Sequence, residues 1–132
     1  MEKIGKYRVV RELGKGATAT VYLCDDPDSD RQVAVKVISF GQDCAAMSRR
    51  MRKLFQNEGM VSKRLNHPNI VQVYEAVVER DFAYLAMEYV DGFTLEDNCR
   101  IDKLLPMPQA LSIIFKCCMA LDSAYRQGII HR

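Results

Sequence analysis

Apolar and polar positions along this chain change their period three times. From Tyr7 to Ile38 the pattern is that of strands. "YRVVRELGKG" (7–16) reads as a strand running into a glycine-rich turn, "TVYLC" (20–24) as a second strand, and "QVAVKVI" (32–38) as a β-branched third. "DDPDSDR" (25–31), between the second and third, is dense in turn-forming residues. These segments predict an antiparallel meander. The spacing then turns helical over 43–66, where Met47, Met51, Leu54, Val61 and Leu65 fall at steps of three, four or seven and form one apolar stripe. "NHPNI" ends that helix, because a proline disfavours helical backbone in the residue before it.

The strand pattern returns in "IVQVYEAVVE" (70–79) and "FAYLAMEYV" (82–90), a hairpin turning at "RD", after which "DGF" breaks the chain. A short helix is expected near 95–103. Pro106 and Pro108 mark the start of a long helix that runs to about Arg126, with Gly128 placed to cap it. The order predicts an α+β fold, a five-stranded antiparallel sheet with one helix packed on it, followed by a connector and the long helix. That last helix (108–126) is apolar around most of its circumference. Leu111, Ile114, Cys118, Leu121 and Tyr125 make one stripe, and Ala110, Ile113, Cys117, Ala120 and Ala124 an adjacent one. A helix of this kind belongs inside a larger body. For this chain alone the expectation is self-association through it, a covering partner, or poor packing.

Two charges interrupt the pattern. Lys36 shares its strand face with Ala34 and Ile38, while the other face carries Val33, Val35 and Val37, so both faces are apolar. Position 58 completes the spacing of the 43–66 stripe, and it is Glu58. Either charge alone would be costly to desolvate, which makes the two natural partners. The alternative is that Glu58 turns to the stripe's edge and Lys36 snorkels to water. Gly14 and Gly16 lie between two strands, where backbone N–H groups can approach a bulky anion or simply make a tight hairpin turn. A phosphate loop or a dinucleotide fingerprint would open a helix, so this position excludes both.

Composition alters the picture little. The chain has 132 residues, 48% of them hydrophobic, enough for one ordinary globular core. A net charge of +2 argues for neither nucleic acid nor an anionic membrane. No signal peptide and no membrane-spanning run is readable. Cys24, Cys44, Cys99, Cys117 and Cys118 are odd in number and contain no CxxC pair, which points to a reducing, cytoplasmic setting rather than disulfides or zinc. His67 reads as part of a turn, and "RRMRK" (49–53) as a solvated helix face.

Taken together, "LGKGATATV" (13–21), "VAVK" (33–36), "NEGMVSKRLNHPNIV" (57–71), "MEYVDG" (87–92) and "GIIHR" (128–132) resemble, in order, the motifs of a protein kinase. The texture resembles the eukaryotic-like serine/threonine kinases of bacteria. The resemblance implies a kinase N-lobe over 1–90, with ATP-binding hairpin and hinge, and the start of the C-lobe over 91–132. It implies that Lys36 binds the α- and β-phosphates of ATP and that Glu58 holds Lys36 in place. Leu13, Gly14, Lys15, Gly16 and Ala19 would form the loop over the phosphates, and Val21 and Ala34 would sandwich the adenine. Met87 would control access behind it, while Glu88 and Val90 would meet its edge with backbone groups. The third glycine of the family's loop is Ala19 here, which implies a stiffer or different tip. Thr94 stands where some relatives carry a ribose-binding carboxylate.

The resemblance also implies a protein substrate and Mg²⁺, whose ligands and whose companion base aspartate would follow Arg132. The chain is therefore expected to be an N-terminal piece of an ATP-dependent serine/threonine kinase, inactive by itself. The alternative is a naturally short, non-catalytic nucleotide-binding or scaffold protein.

Overall fold

The computed structural model describes residues 2–40, 52, 53, 55 and 63–130. Among the described residues, six strands form one antiparallel sheet: β1 (Lys3–Ile4), β2 (Tyr7–Lys15), β3 (Ala19–Asp26), β4 (Arg31–Ser39), β5 (Val73–Val78) and β6 (Phe82–Glu88). Their spatial order is β1-β2-β3-β4-β6-β5. The expected meander and hairpin are both present, and β6 inserts between β4 and β5. The sequence reading of five strands is corrected by β1. Two residues are too few to show a period, and β1 exists because Gly5, at φ +55°, folds the chain back onto β2.

The sheet is curled. β2 and β5 are separated by three strands, a span of about 19 Å in a flat sheet at normal strand spacing. Yet the Tyr7 hydroxyl in β2 donates to the Glu75 carboxylate in β5 at 2.7 Å. The rings of Tyr7 and Tyr84 also meet edge to face, with centroids 6.1 Å apart. Inside the curl lies the main core, made of Ile4, Tyr7, Cys24, Val33, Val35, Val37, Tyr84 and Ala86. Its valines are the alternate residues of β4, so the β-branched run of the sequence fills this core directly. Burial pushes the Cys24 thiol pKa up to about 11 and raises that of the Tyr7 phenol, whose bond to Glu75 adds to the effect.

A second cluster occupies the other face of β4 and β6. Phe40, Phe55 and Ala83 are buried there, with Ile38, Ala76, Val78 and Leu85 packed around them. Phe55 is helical, and so are residues 52 and 53. The Arg52 guanidinium stacks over the Phe40 ring at 4.9 Å and donates to the Arg80 carbonyl. Arg52 is thus held by these contacts, while Lys53 is exposed as the reading of 49–53 expects, and 49–51 lie outside the described residues. The docking residue Phe55 was absent from the expected stripe; of that stripe, Met47, Met51, Leu54 and Val61 lie outside the described residues. Leu65 is buried but not helical, because residues 63–64 already form a turn.

The chain divides into two compact units, one of residues 1–64 and 71–89, the other of 65–70 and 90–132. In the second unit, His67 Nδ1 accepts the Asn69 N–H at 3.1 Å, the turn role expected of it. The short helix expected near 95–103 is a pair of 3₁₀ turns, Glu96–Cys99 and Ile101–Lys103. The long helix, α1, spans Met107–Arg126. Gly128 ends it at φ +75°, donating to the Tyr125 carbonyl at 2.9 Å while Ile129 donates to that of Ala124 at 3.0 Å. This is the Schellman pattern that glycine makes cheap.

Candidate functional site

Register decides which of the expected site residues share a surface. In antiparallel sheets, directly opposed residues lie on one face. Gly14 opposes Val21, Val21 opposes Lys36, and Lys36 opposes Leu85, so one line crosses β2, β3, β4 and β6. Two residues along, a parallel line joins Leu23, Ala34 and Met87. Val21, Ala34, Lys36 and Met87 therefore stand on one face, opposite to the face that fills the curled core. It is the face on which Phe55 docks beside Ile38 and Ala83. Lys36 is half-buried among these apolar neighbours, as the alternation of β4 predicted. Glu58, its expected partner, lies outside the described residues.

The hairpin joining β2 and β3 carries the glycines. The Gly16 N–H donates to the Ala19 carbonyl at 2.8 Å and closes the turn. Neither Gly14 nor Gly16 has a positive φ. Among the described residues, a Cβ built on Gly14 would meet nothing within 4 Å, and one on Gly16 the Ala19 carbonyl at 3.6 Å. The chain's own packing thus does not require glycine at either position. Open space over a backbone free of side chains is what close approach by a phosphate needs. Ala19 begins β3 with ordinary φ, so the methyl group in place of a third glycine adds no backbone strain. Leu13 sits at a register shift between Glu12 and Gly14, a second shift separates Val9 from Arg11, and Lys15 pairs with Thr20 at the strand's end. Such bulges re-aim side chains beside a turn, and nothing in the residue pattern signals them.

Glu88 is the last residue of β6. Its N–H donates to the Gln72 carbonyl at 2.8 Å, and its carboxylate accepts the Gln72 N–H at 3.2 Å. Val90 is exposed and belongs to the second unit. Thr94 is also exposed, its hydroxyl facing the Glu96 N–H at 3.4 Å.

A separate open hollow of about 430 Å³ lies at the opposite end of β3 and β4, between Lys3, Lys6, Arg8, Asp25, Asp26 and Arg31. None of the expected site residues lines it. Several of its charges are paired: Lys6 with Asp28 at 2.6 Å and Arg8 with Asp25 at 2.7 Å, while buried Asp26 accepts the Ser29 hydroxyl at 2.7 Å. It is a structural knot that fixes the β3–β4 turn. Among the described residues no cluster could hold a metal ion, and no helix is long and apolar enough to cross a membrane.

The glycine hairpin joins β2 and β3, and Lys36 stands on the adjacent β4, on the sheet face where Phe55 docks. The protein kinase domain model matches residues 7–132. The chain belongs to the protein kinase family. Among its relatives, the serine/threonine-protein kinase PrkC of Bacillus subtilis is 37% identical over 128 residues, covering 97% of this chain and 19% of the relative. The probable serine/threonine-protein kinase PknB of Lactococcus lactis is 37% identical over 140 residues, covering 100% of this chain and 22% of that protein. The solved kinase domain of PknI from Mycobacterium tuberculosis superposes with a TM-score of 0.81 at 34% identity, covering 98% of this chain and 52% of that one. The chain thus spans about a fifth of the curated relatives it matches and half of a solved kinase domain. It is similar to bacterial serine/threonine kinases, and its sheet is that of the kinase small lobe.

Proposed function

We propose that this chain is the nucleotide-binding part of an ATP-dependent serine/threonine protein kinase. The observation that carries the proposal is the single sheet face shared by Gly14, Val21, Lys36 and Met87, with open space above Gly14. On this reading Leu13, Gly14, Lys15, Gly16 and Ala19 cover the phosphates with backbone N–H groups. Val21 and Ala34 flank the adenine ring, where one branched and one small apolar side chain leave room for a flat heterocycle. Lys36 supplies a positive charge to the α- and β-phosphates, and its apolar surroundings strengthen that attraction. Glu58 orients the lysine. Glu88 offers its carbonyl and Val90 its N–H to the adenine edge, with Met87 bounding the space behind.

ATP brings the transferable phosphoryl group, and Mg²⁺ its charge neutralisation. Glycine backbone at 14–16 and a semi-buried lysine fit a polyphosphate, while the residues that would hold the metal and accept the substrate's proton lie outside this chain. We take 1–90 as the nucleotide-binding lobe and 91–132 as the start of the helical lobe, a division supported by the two compact units. Phosphorylation of serine or threonine on a protein substrate belongs to the longer protein.

Isothermal titration of purified 1–132 with MgATP tests this. Measurable binding is expected, and Lys36→Met should weaken it roughly 10- to 100-fold, the value of a charge-assisted contact. The same preparation should not phosphorylate a generic protein substrate, because base and metal ligands provide most transition-state stabilisation. Binding indifferent to Lys36, or sustained Lys36-dependent transfer by 1–132, would contradict the proposal.

A further inference from the structure

Ser29 supplies the hydroxyl that holds the buried member of the charged knot. The turn 27–30 between β3 and β4 is exposed along its whole length. From it the Ser29 hydroxyl reaches the Asp26 carboxylate at 2.7 Å, and the Asp28 N–H donates to the same carboxylate at 3.1 Å. Two cations attend Asp26 from outside the turn. Lys6 Nζ lies 3.7 Å away and Arg31 Nε 3.9 Å away. The Arg31 guanidinium also stacks 3.9 Å over the Tyr74 ring of β5. Asp30, in the same turn, sits at φ +49°, the left-handed region that favours glycine. Such a backbone persists because the contacts around it hold it, and here they converge on Asp26.

We propose that Ser29 is a phosphorylation site, and that a phosphate there unlocks the β3–β4 turn by drawing Lys6 and Arg31 away from Asp26. In the reaction Ser29 Oγ bonds to the terminal phosphorus of a nucleoside triphosphate while the bond from that phosphorus to the bridging oxygen breaks. The hydroxyl proton passes to the base of the modifying kinase, and nucleoside diphosphate leaves. Asp25, Asp26, Asp28 and Asp30 flank the serine, so the kinase that fits this turn has a basic cleft. The product loses the hydroxyl donor and gains about two negative charges and three strong acceptor oxygens. It also stands against the buried Asp26 carboxylate, which it repels. The cations that answer it are already in place: Lys6 and Arg31 attend the very carboxylate that Ser29 touches, and Lys3 and Arg8 line the same hollow. A guanidinium grips a phosphate through two N–H groups at once, so Arg31 leaves the Tyr74 ring for the phosphate. The inference is independent of the nucleotide site.

Two experiments on the 132-residue chain test this. The folded chain is incubated with MgATP and a protein serine kinase that selects acidic sequences, and the phosphate is located by peptide mass mapping. Phosphate on Ser29 is expected, and a Ser29 left unmodified would overturn the site. The chain carrying phosphoserine at 29, introduced during synthesis, is then compared with the native chain and with Ser29→Ala. Phosphoserine should quicken amide exchange at Asp28 roughly 10- to 100-fold, through a lost hydrogen bond and a like charge together. The Arg31 side-chain N–H and Tyr74 ring signals should shift with it. Ser29→Ala removes the hydrogen bond and adds no charge, so exchange at Asp28 should quicken at most roughly fivefold, with Arg31 and Tyr74 unmoved. Equal effects of phosphoserine and Ser29→Ala, or a phosphoserine chain whose Arg31 and Tyr74 signals stay in place, would overturn the switch.

Discussion

Gly5 and Gly14 make opposite demands on an added methyl group. Gly5 has φ +55°, and a Cβ there would run into the Tyr84 phenol. Gly5→Ala should destabilise the fold by roughly 1–3 kcal/mol, read from urea unfolding. Gly14 has ordinary φ and empty space around it. Gly14→Ala should leave stability within about 0.5 kcal/mol and yet weaken ATP binding, because the methyl would stand where a phosphate approaches. Equal effects of the two substitutions on stability would contradict this contrast. Asp26 makes a third residue-level prediction. The Ser29 hydroxyl lowers its pKa most, burial opposes this, and the Asp28 N–H, Lys6 and Arg31 add to the lowering. The folded protein therefore binds that proton less readily than the unfolded chain. Its contribution to stability is present above the unfolded carboxylate value of about 3.9 and is lost as pH falls through the lower folded value. Urea midpoints taken from pH 5 downward should fall less steeply in Asp26→Asn than in the native chain, and parallel profiles would refute the assignment. Lys36 was legible in the sequence because a charge inside a β-branched run is conspicuous. Asp26 was not: "DDPDSDR" is equally dense in acids throughout, and only the fold selects which one is buried.

At the scale of elements, β2 to β6 were readable because each has a period and a boundary. Curling was not, because it depends on contacts such as Tyr7 with Glu75, 68 positions apart. Of the helix expected over 43–66, residues 52, 53 and 55 are described as helical, and Phe55, which docks, was not in the expected stripe. Phe55 and Phe40 carry the described contact with the sheet, and an aromatic next to an apolar stripe gives no sign of which one turns inward. The stop of α1 was legible to the residue, since glycine after an apolar periodic run has one common use. Gly128→Ala should cost about 1 kcal/mol of helix-end stability by forcing an alanine to φ +75°. Amide exchange at Gly128 and Ile129, whose N–H groups close the cap, is the readout. A protected cap in the variant would count against the motif.

The molecule as a whole leaves α1 largely uncovered. Leu111, Ile114, Phe115, Leu121 and Tyr125 are each more than half exposed, and Ala124 is the helix's one buried residue. Covering a large apolar side chain is worth roughly 1.5–3 kcal/mol, so five of them provide ample drive for association. Light scattering on 1–132 should show concentration-dependent self-association, reduced in the triple variant Ile114→Gln, Phe115→Gln, Leu121→Gln. A monomer at all concentrations would contradict this expectation. The nucleotide site poses the sharper question, since the molecule offers a ligand two different places. One is the face of Gly14, Val21, Lys36 and Met87, and the other is the charged hollow of Lys6, Arg8, Asp26 and Arg31. Backbone amide shifts recorded while MgATP is titrated into 1–132 separate them. The account predicts saturable shifts at Gly14, Gly16, Val21, Lys36, Met87 and Glu88, with Lys6, Arg8 and Arg31 unmoved. Shifts confined to Lys6, Arg8 and Arg31, with the glycine hairpin silent, would contradict it.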